Sequence, residues 1–326
     1  MQPHVQQWFD DRTFRGVAAG ESELTQLARL KADTTVSVVL PALNEQDTVG
    51  AIVAAIRSVL MDVDHRLVDE LIVLDSGSTD ATSAVARQAG AKVVHVDDVL
   101  AELPSVPGKG EALWRSVAAT SGDIVVFVDA DLLQFSASTV TGLLHPLLAE
   151  PAIALVKATY DRPLADGARV HPAGGGRVTE LVARPLLNLH WPSLAGFVQP
   201  LAGEYAARRT LLEQLPFPTG YGVELGLLID ALDIVGLDGL AQVDLGERRH
   251  RHHDDQTLGR MAAEIWQTAW TRLHRAGMSH AHRLDPTLTQ FTRVDDADQP
   301  VTYEVTALER PPLATVNGYA RSRINQ

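Results

Sequence analysis

Asp129-Ala130-Asp131 places two carboxylates directly after the apolar run Val125 to Val128. Side chains at i and i+2 of an extended segment share a face, so both acids could reach one hard cation or its bound water. A divalent ion there would bridge the two phosphates of a nucleotide sugar and neutralise a leaving diphosphate. A bare Asp-x-Asp is otherwise a solvated turn, and it is the position after a buried strand that selects the catalytic reading. Asp75-Ser76-Gly77-Ser78-Thr79-Asp80 follows a second apolar run. Ser78 or Thr79 suits a helix cap there, and the open amides of a helix start suit a ribose or phosphate. Pro107-Gly108-Lys109-Gly110 sets a lysine between two glycines, either as a flexible turn or as a phosphate ligand.

Two further clusters carry charge or metal-binding chemistry. In Gly174-Gly175-Gly176-Arg177-Val178-Thr179-Glu180, the glycines leave backbone amides open, a helix start adds its positive end, and Arg177 and Thr179 supply charge and hydroxyl. The pattern predicts a cradle for an anionic acceptor rather than a plain connecting loop. His250-Arg251-His252-His253 offers imidazoles that could complete a metal sphere begun by Asp131, or form a solvated basic turn.

These groups need a frame that brings them to one place. Val36 to Leu40, Glu70 to Leu74, Lys92 to Val96, Asp123 to Val128 and Ile153 to Ala158 read as buried strands. Helical spacing separates the first strands, through Val49, Ile52, Ile56 and Val59 and again near Asp80 to Gln88. Near-continuous apolar strands alternating with helices predict an α/β fold with a mostly parallel sheet covered on both faces. Ligands of such sheets bind beyond the carboxyl ends of the strands, where the polar runs at 41–45, 75–80 and 129–131 all fall. Residues 162–176 read as a loop, Val178 to Leu189 and Thr257 to His274 as helices, and the segment beyond Gly277 as an extended tail. Trp8 and Phe9 are available to dock the N-terminus on the body.

The 326 residues suffice for one large α/β domain with an elaborated C-terminal part, and 45% apolar content supports a sizeable core. With 41 acidic against 28 basic residues the net charge is −13, which argues against a general affinity for nucleic acid or anionic membrane. An anionic small substrate therefore needs a local basic site. No cysteine is present, which excludes disulfides, thiolate metal sites and cysteine nucleophiles. No apolar run could span a bilayer, and Met1 to Phe9 lacks the pattern of a secretory signal, so a cytoplasmic location is expected.

Pro41-Ala42-Leu43-Asn44-Glu45, the run 75–80, Pro107 to Trp114 and Asp129-Ala130-Asp131 resemble family 2-like glycosyltransferases of the GT-A fold. Longer strings are more specific: Gly174 to Leu187, Gln199 to Ala207 and Gly220 to Asp230 are similar to actinobacterial glucosyl-3-phosphoglycerate synthases. The resemblance covers residues 34–275. It implies a nucleotide-sugar-binding half (34–160), an acceptor-binding half of the same catalytic domain (161–275), an N-terminal extension (1–33) and a tail (276–326). The implied reaction is retaining transfer of glucose from UDP-glucose to the 2-hydroxyl of 3-phosphoglycerate, with Mg²⁺ or Mn²⁺, by a homodimer.

Carried over by position, Pro41, Ala42, Leu43 and Glu45 hold the uracil end, and Ser76 and Lys109 the ribose and diphosphate. Asp129 and Ala130 assist at the nucleotide, Glu224 holds sugar hydroxyls, and Asp131 and His250 bind the metal. Gly176, Arg177, Thr179 and Tyr221 take the acceptor. The backbone carbonyl near Leu201 could stabilise an oxocarbenium-like state, whereas Glu204 or Glu224 as a covalent nucleophile is the rival route. A mannosyl-3-phosphoglycerate synthase using GDP-mannose, a nucleotidyltransferase and a silent nucleotide-sugar-binding protein are the alternative functions.

Overall fold

The computed structural model describes residues 2–161, 164–166, 169–171, 176–247, 255–278, 287–294, 297–305 and 308–319. Its centre is an eight-stranded sheet built from β1 (Thr13–Arg15), β2 (Val36–Ala42), β3 (Glu70–Asp75), β4 (Lys92–His95), β5 (Ile124–Phe127), β6 (Leu155–Asp161), β7 (Tyr205–Arg208) and β8 (Leu240–Glu247). The order across the sheet is β1-β8-β6-β7-β5-β2-β3-β4. Every neighbouring pair is parallel except the two made by β7, which runs antiparallel between β5 and β6.

Alternation along the strands feeds two apolar layers. Val36, Val38, Leu40, Val126 and Ala206 face the helices Glu21–Lys31, Val49–Ile56 and Ser138–Ala149. Val39, Val125, Phe127, Tyr205 and Ala207 face a second layer with Leu113, Trp114, Leu228 and Ile265, from the helices Lys109–Ala119, Val223–Val235 and Asp255–Arg275. Burial on both sides explains why these strands read as unbroken apolar runs. The helix after β2 continues from Ile56 into a π-type turn, Arg57–Met61, which accounts for its length.

Residues outside the sequence resemblance are woven into this body. β1 adds an edge strand beside β8, and Trp8 is buried, donating its indole N–H to Leu240 O at 2.9 Å and stacking on Phe197. At the other end the segment beyond Gly277 contains an antiparallel hairpin, Thr287–Val294 with Ala297–Glu304, rather than only extended chain. The loop reading of 162–176 is likewise refined: Leu164–Asp166 and Arg169–His171 pair as a short antiparallel ribbon.

Candidate active site

The carboxyl ends of β2, β3 and β5 form one rim. At the ends of β2 and β3 the two loops are laced together. Asn44 N donates to Ser78 Oγ (3.0 Å), Glu45 N to Thr82 Oγ1 (2.7 Å), Thr79 N to Asn44 Oδ1 (2.8 Å) and Ala81 N to Gln46 Oε1 (3.0 Å). Asn44 holds φ +60, a left-handed conformation that asparagine tolerates. Ser78 and Thr79 are therefore not helix caps: the Ser78 hydroxyl and the Thr79 amide and hydroxyl bond Asn44, and the helix starts later, at Thr82. Asp75 is buried and accepts from Gly77 N, Ser78 N and Ser83 Oγ. Burial works to raise its pKa, but the bonds from Ser83, Ser78 and Gly77 outweigh it and hold the carboxyl below its usual value.

On this rim Ala42 is buried, Pro41, Glu45 and Ser76 are half-buried, and Leu43 is 54% exposed, an apolar side chain turned to solvent at the lip. β5 ends at Phe127, and Ala130-Asp131 already forms a turn. The shared-face argument for an extended Asp129-x-Asp131 thus does not hold as strand geometry. Instead Ala130 is buried and its carbonyl accepts from Thr48 Oγ1 at 2.6 Å, which fixes the turn against the β2 loop.

Asp129 points inward. Lys109 Nζ donates to Asp129 Oδ1 at 2.7 Å and lies 2.9 Å from Glu224 Oε1, so one ammonium bridges the β5 end and the start of the helix Val223–Val235. Glu224 is 5% exposed, and its Oε1 accepts no well-aligned hydrogen bond among the described residues. Burial pulls the Lys109 pKa down, yet the carboxylates of Asp129 and Glu224 prevail and hold it well above its usual value. The lysine is fully charged.

The glycines flanking Lys109 have a packing role. A Cβ on Gly110 would stand 1.8 Å from Pro218 O, and one on Gly108, at φ +135, 2.1 Å from Thr219 O. They let the start of the helix Lys109–Ala119 press on residues 218–219, so the turn is not a free phosphate loop. Gly203 is equally constrained, since its Cβ would fall 2.1 Å from Asp129 Oδ2 and 2.5 Å from Lys109 Nζ.

Behind this pair lie Glu204, named from the sequence as a rival nucleophile, and two groups that the sequence reading did not single out, Lys157 and Tyr205. Lys157 on β6 is buried, donates to Ala202 O at 2.8 Å and stands 4.8 Å from the centre of the Tyr205 ring. Burial lowers its pKa to about 8, against the opposing pull of Glu224, Asp129 and Glu204 and with help from Lys109. Glu204 is fully buried and accepts from Tyr160 OH at 2.9 Å. The Tyr205 hydroxyl is buried without a hydrogen-bond partner among the described residues. A lysine in the otherwise apolar run Ile153 to Ala158 was the available signal.

Leu201 is half-buried in the loop leading to β7. Gly176 adopts φ +78 and accepts Glu180 N at 3.0 Å as the helical segment begins. Arg177 is exposed and Thr179 buried. Tyr221 is 43% exposed, and its N–H donates to Glu264 at 2.6 Å. Gly174, Gly175 and the three histidines 250, 252 and 253 lie outside the described residues.

Comparison with known proteins decides the family. Residues 37–198 match the glycosyl transferase family 2 pattern. Glucosyl-3-phosphoglycerate synthase of Mycolicibacterium smegmatis is 50% identical over 90% of this chain and 93% of that protein. The chain belongs to the glucosyl-3-phosphoglycerate synthase family. The synthase of Petrotoga mobilis is 42% identical over 91% of each chain. Among solved structures, mannosyl-3-phosphoglycerate synthase from Rubrobacter xylanophilus superposes with a TM-score of 0.86 at 38% identity, covering 95% of this chain and 99% of that one. Glucosyl-3-phosphoglycerate synthase from Mycobacterium tuberculosis, in complex with Mn²⁺, UDP-glucose and phosphoglyceric acid, does so with 0.80 at 45% identity, covering 94% and 99%.

Family membership raises the question of a divalent ion. Among the described residues no group of three acidic or histidine side chains is placed to hold one. Asp129 is paired with Lys109, and Asp131, half-buried on the same turn, is a hard oxygen donor of the kind suited to Mg²⁺ or Mn²⁺. The donor chemistry of this carboxylate fits the ion.

Proposed function

We propose that this family member catalyses retaining transfer of glucose from UDP-glucose to the 2-hydroxyl of 3-phospho-D-glycerate, releasing UDP and glucosyl-3-phosphoglycerate. The observation that carries the reading is the Lys109 ammonium held between Asp129 and Glu224, because it joins the nucleotide rim to the place where a hexose would lie. Pro41, Ala42, Leu43 and Glu45 border the base, Ser76 the ribose, and Lys109 and the Asp129-Ala130 turn the diphosphate. Glu224 and the carbonyls near Leu201 face the sugar, while Gly176, Arg177, Thr179 and Tyr221 receive the acceptor. Asp131 and His250 would hold Mg²⁺ or Mn²⁺, which supplies positive charge to the leaving diphosphate.

The acceptor oxygen attacks the anomeric carbon on the face that the diphosphate leaves. The carbon–phosphate-oxygen bond breaks, the new glycosidic bond forms, and the acceptor proton passes to the departing phosphate oxygen. Such a path needs positioning and charge neutralisation more than a separate base. Glu204 is a poor candidate nucleophile, being buried and hydrogen-bonded to Tyr160.

In this reading residues 34–160 and 161–275 are the donor and acceptor halves of one domain, and the protein works as a cytoplasmic homodimer. No helix among the described residues is long and apolar enough to cross a membrane. The fit to a mannosyl-3-phosphoglycerate synthase makes GDP-mannose the donor to test against. Purified protein with Mg²⁺, 3-phosphoglycerate and each of UDP-glucose and GDP-mannose should give a glucosyl product, identified by mass spectrometry, with the α-anomer retained by NMR. A higher kcat/KM for GDP-mannose would reverse the donor assignment.

A further inference from the structure

The C-terminal segment 308–319 touches both elements that carry the Lys109–Glu224 pair. Glu309–Arg310 forms an antiparallel bridge with Phe217–Pro218, and Thr219 N donates to Leu308 O at 3.0 Å. Four residues after that bridge comes Gly222, and then Glu224 in the first turn of its helix. From the same strand Arg310 reaches back to the helix Lys109–Ala119. Its Nε and Nη2 donate to Glu111 Oε2 and Oε1 at 2.6 and 2.8 Å, and Nη2 also to Pro104 O at 2.5 Å. Glu111 is 1% exposed and shares its Oε1 with Arg115. The Arg310 guanidinium lies over the Trp114 ring, whose N–H donates to Pro311 O at 2.9 Å.

Thr219 O closes the circuit by accepting Glu111 N at 3.1 Å. The far end of the segment is anchored by buried Leu313 and Tyr319, while Glu309 is held by Arg272 and Arg275. A bidentate guanidinium–carboxylate pair is directional as well as strong, so this contact fixes the angle between the two elements as well as their separation.

We infer that residues 308–319 are a strap that sets the relative position of Lys109 and Glu224, and that Arg310 is its positioning residue. Arg310 acts through Glu111, two residues beyond Lys109, and through the 217–219 bridge. The inference rests on the transferase reading, and its test has one arm that does not.

The test compares Arg310→Met, Arg310→Lys and the wild-type protein well below their melting temperatures. Arg310→Met should lower kcat/KM for UDP-glucose by between about tenfold and a hundredfold, the range for a small displacement of catalytic groups, and leave the phosphoglycerate KM unchanged. Arg310→Lys, keeping one of the two bonds to Glu111, should recover part of the loss. Hydrogen–deuterium exchange should rise in residues 109–119 and 217–224 of Arg310→Met and not in 41–48. Wild-type kinetics and exchange in a folded Arg310→Met, or a loss confined to phosphoglycerate affinity, would overturn the strap. Should Arg310→Met not fold, Trp114→Phe, which deletes the indole bond to Pro311 and narrows the ring beneath Arg310, is read in the same way. Unchanged exchange and kinetics there would overturn the strap as well. An inactive wild-type protein would sink the transferase reading alone, because the exchange arm needs no turnover.

Discussion

The rim at the ends of β2 and β3 and the charged cluster behind the β5 end are neighbours built on opposite plans. Around Asn44 and Asp75 the polar groups satisfy one another, with amides paired to hydroxyls and carboxylates across the two loops. Around Lys109 charged side chains are packed together, Glu224 buried and Lys109 and Asp129 half-buried, and the Tyr205 hydroxyl has no hydrogen-bond partner among the described residues. The first region is a finished surface that a flat base and ribose could meet without rearrangement. The second concentrates charge and one unmet hydroxyl in little space, which makes it the costlier of the two to build.

The largest effect that would test this contrast belongs to Lys109→Met. It leaves Asp129 and Glu224 facing each other without a cation, and stability should fall by about 3 kcal/mol or more in urea unfolding. Turnover should drop by roughly a thousandfold or more if the ammonium stabilises the leaving diphosphate. A mild loss of both would mean that the cluster is not electrostatically tight. Gly203→Ala comes next, since its methyl must displace Asp129 or Lys109. A fall of about a hundredfold in kcat/KM for UDP-glucose is expected, and steady-state kinetics near wild type would show that the pair tolerates displacement.

Lys157→Met sharpens the comparison through pH. Burial favours the neutral amine, with Glu224, Asp129, Glu204 and Lys109 adding their charges and Tyr205 its ring. Between pH about 8 and 10.5 the unfolded chain therefore binds a proton that the folded one lacks, and stability from this group rises as pH rises through that window. Urea midpoints across the window should show a positive slope in wild type that Lys157→Met flattens. Identical slopes would remove Lys157 from the set of strained charges.

The smallest effect is expected on the rim. Asp75→Asn keeps the shape but weakens the bonds from Gly77, Ser78 and Ser83, costing about 1–2 kcal/mol. Because the folded carboxyl lies below its usual value, its contribution is present above the unfolded value and lost as pH falls through the folded one. Acid unfolding of Asp75→Asn should accordingly begin from a lower plateau and be less steep, while UDP affinity changes little. A large change in UDP affinity would break the idea that the rim is rigid without its ligand.

Much of this was legible from residues 36–160, because apolar strands capped by polar loops report the parallel sheet directly. β2, β3, β4 and β5 stand within two residues of their sequence readings. β7 was not, since Glu204-Tyr205-Ala206-Ala207-Arg208 is too short for a period and starts with a buried acid. Lys109, Asp129 and Glu224 could be named singly from motif and resemblance. That one ammonium joins two of them is a property of tertiary packing, and neither Lys157 nor Arg310 belongs to any motif. The flanking glycines were read as a flexible turn around a phosphate-binding lysine, whereas the carbonyls of Pro218 and Thr219 pack against them and hold the turn in place.

β7 also has a consequence for how the molecule assembles. Among the described residues it is the only strand hydrogen-bonded to both β5 and β6, so it alone joins the ribbon β4-β3-β2-β5 to the ribbon β6-β8-β1. Its N-terminal end carries Gly203 and Glu204, which abut the Asp129 turn and Lys157's neighbourhood. The seam of the sheet and the backing of the Lys109–Asp129 pair are thus one stretch of chain, so that pair can be assembled only where β7 is in place.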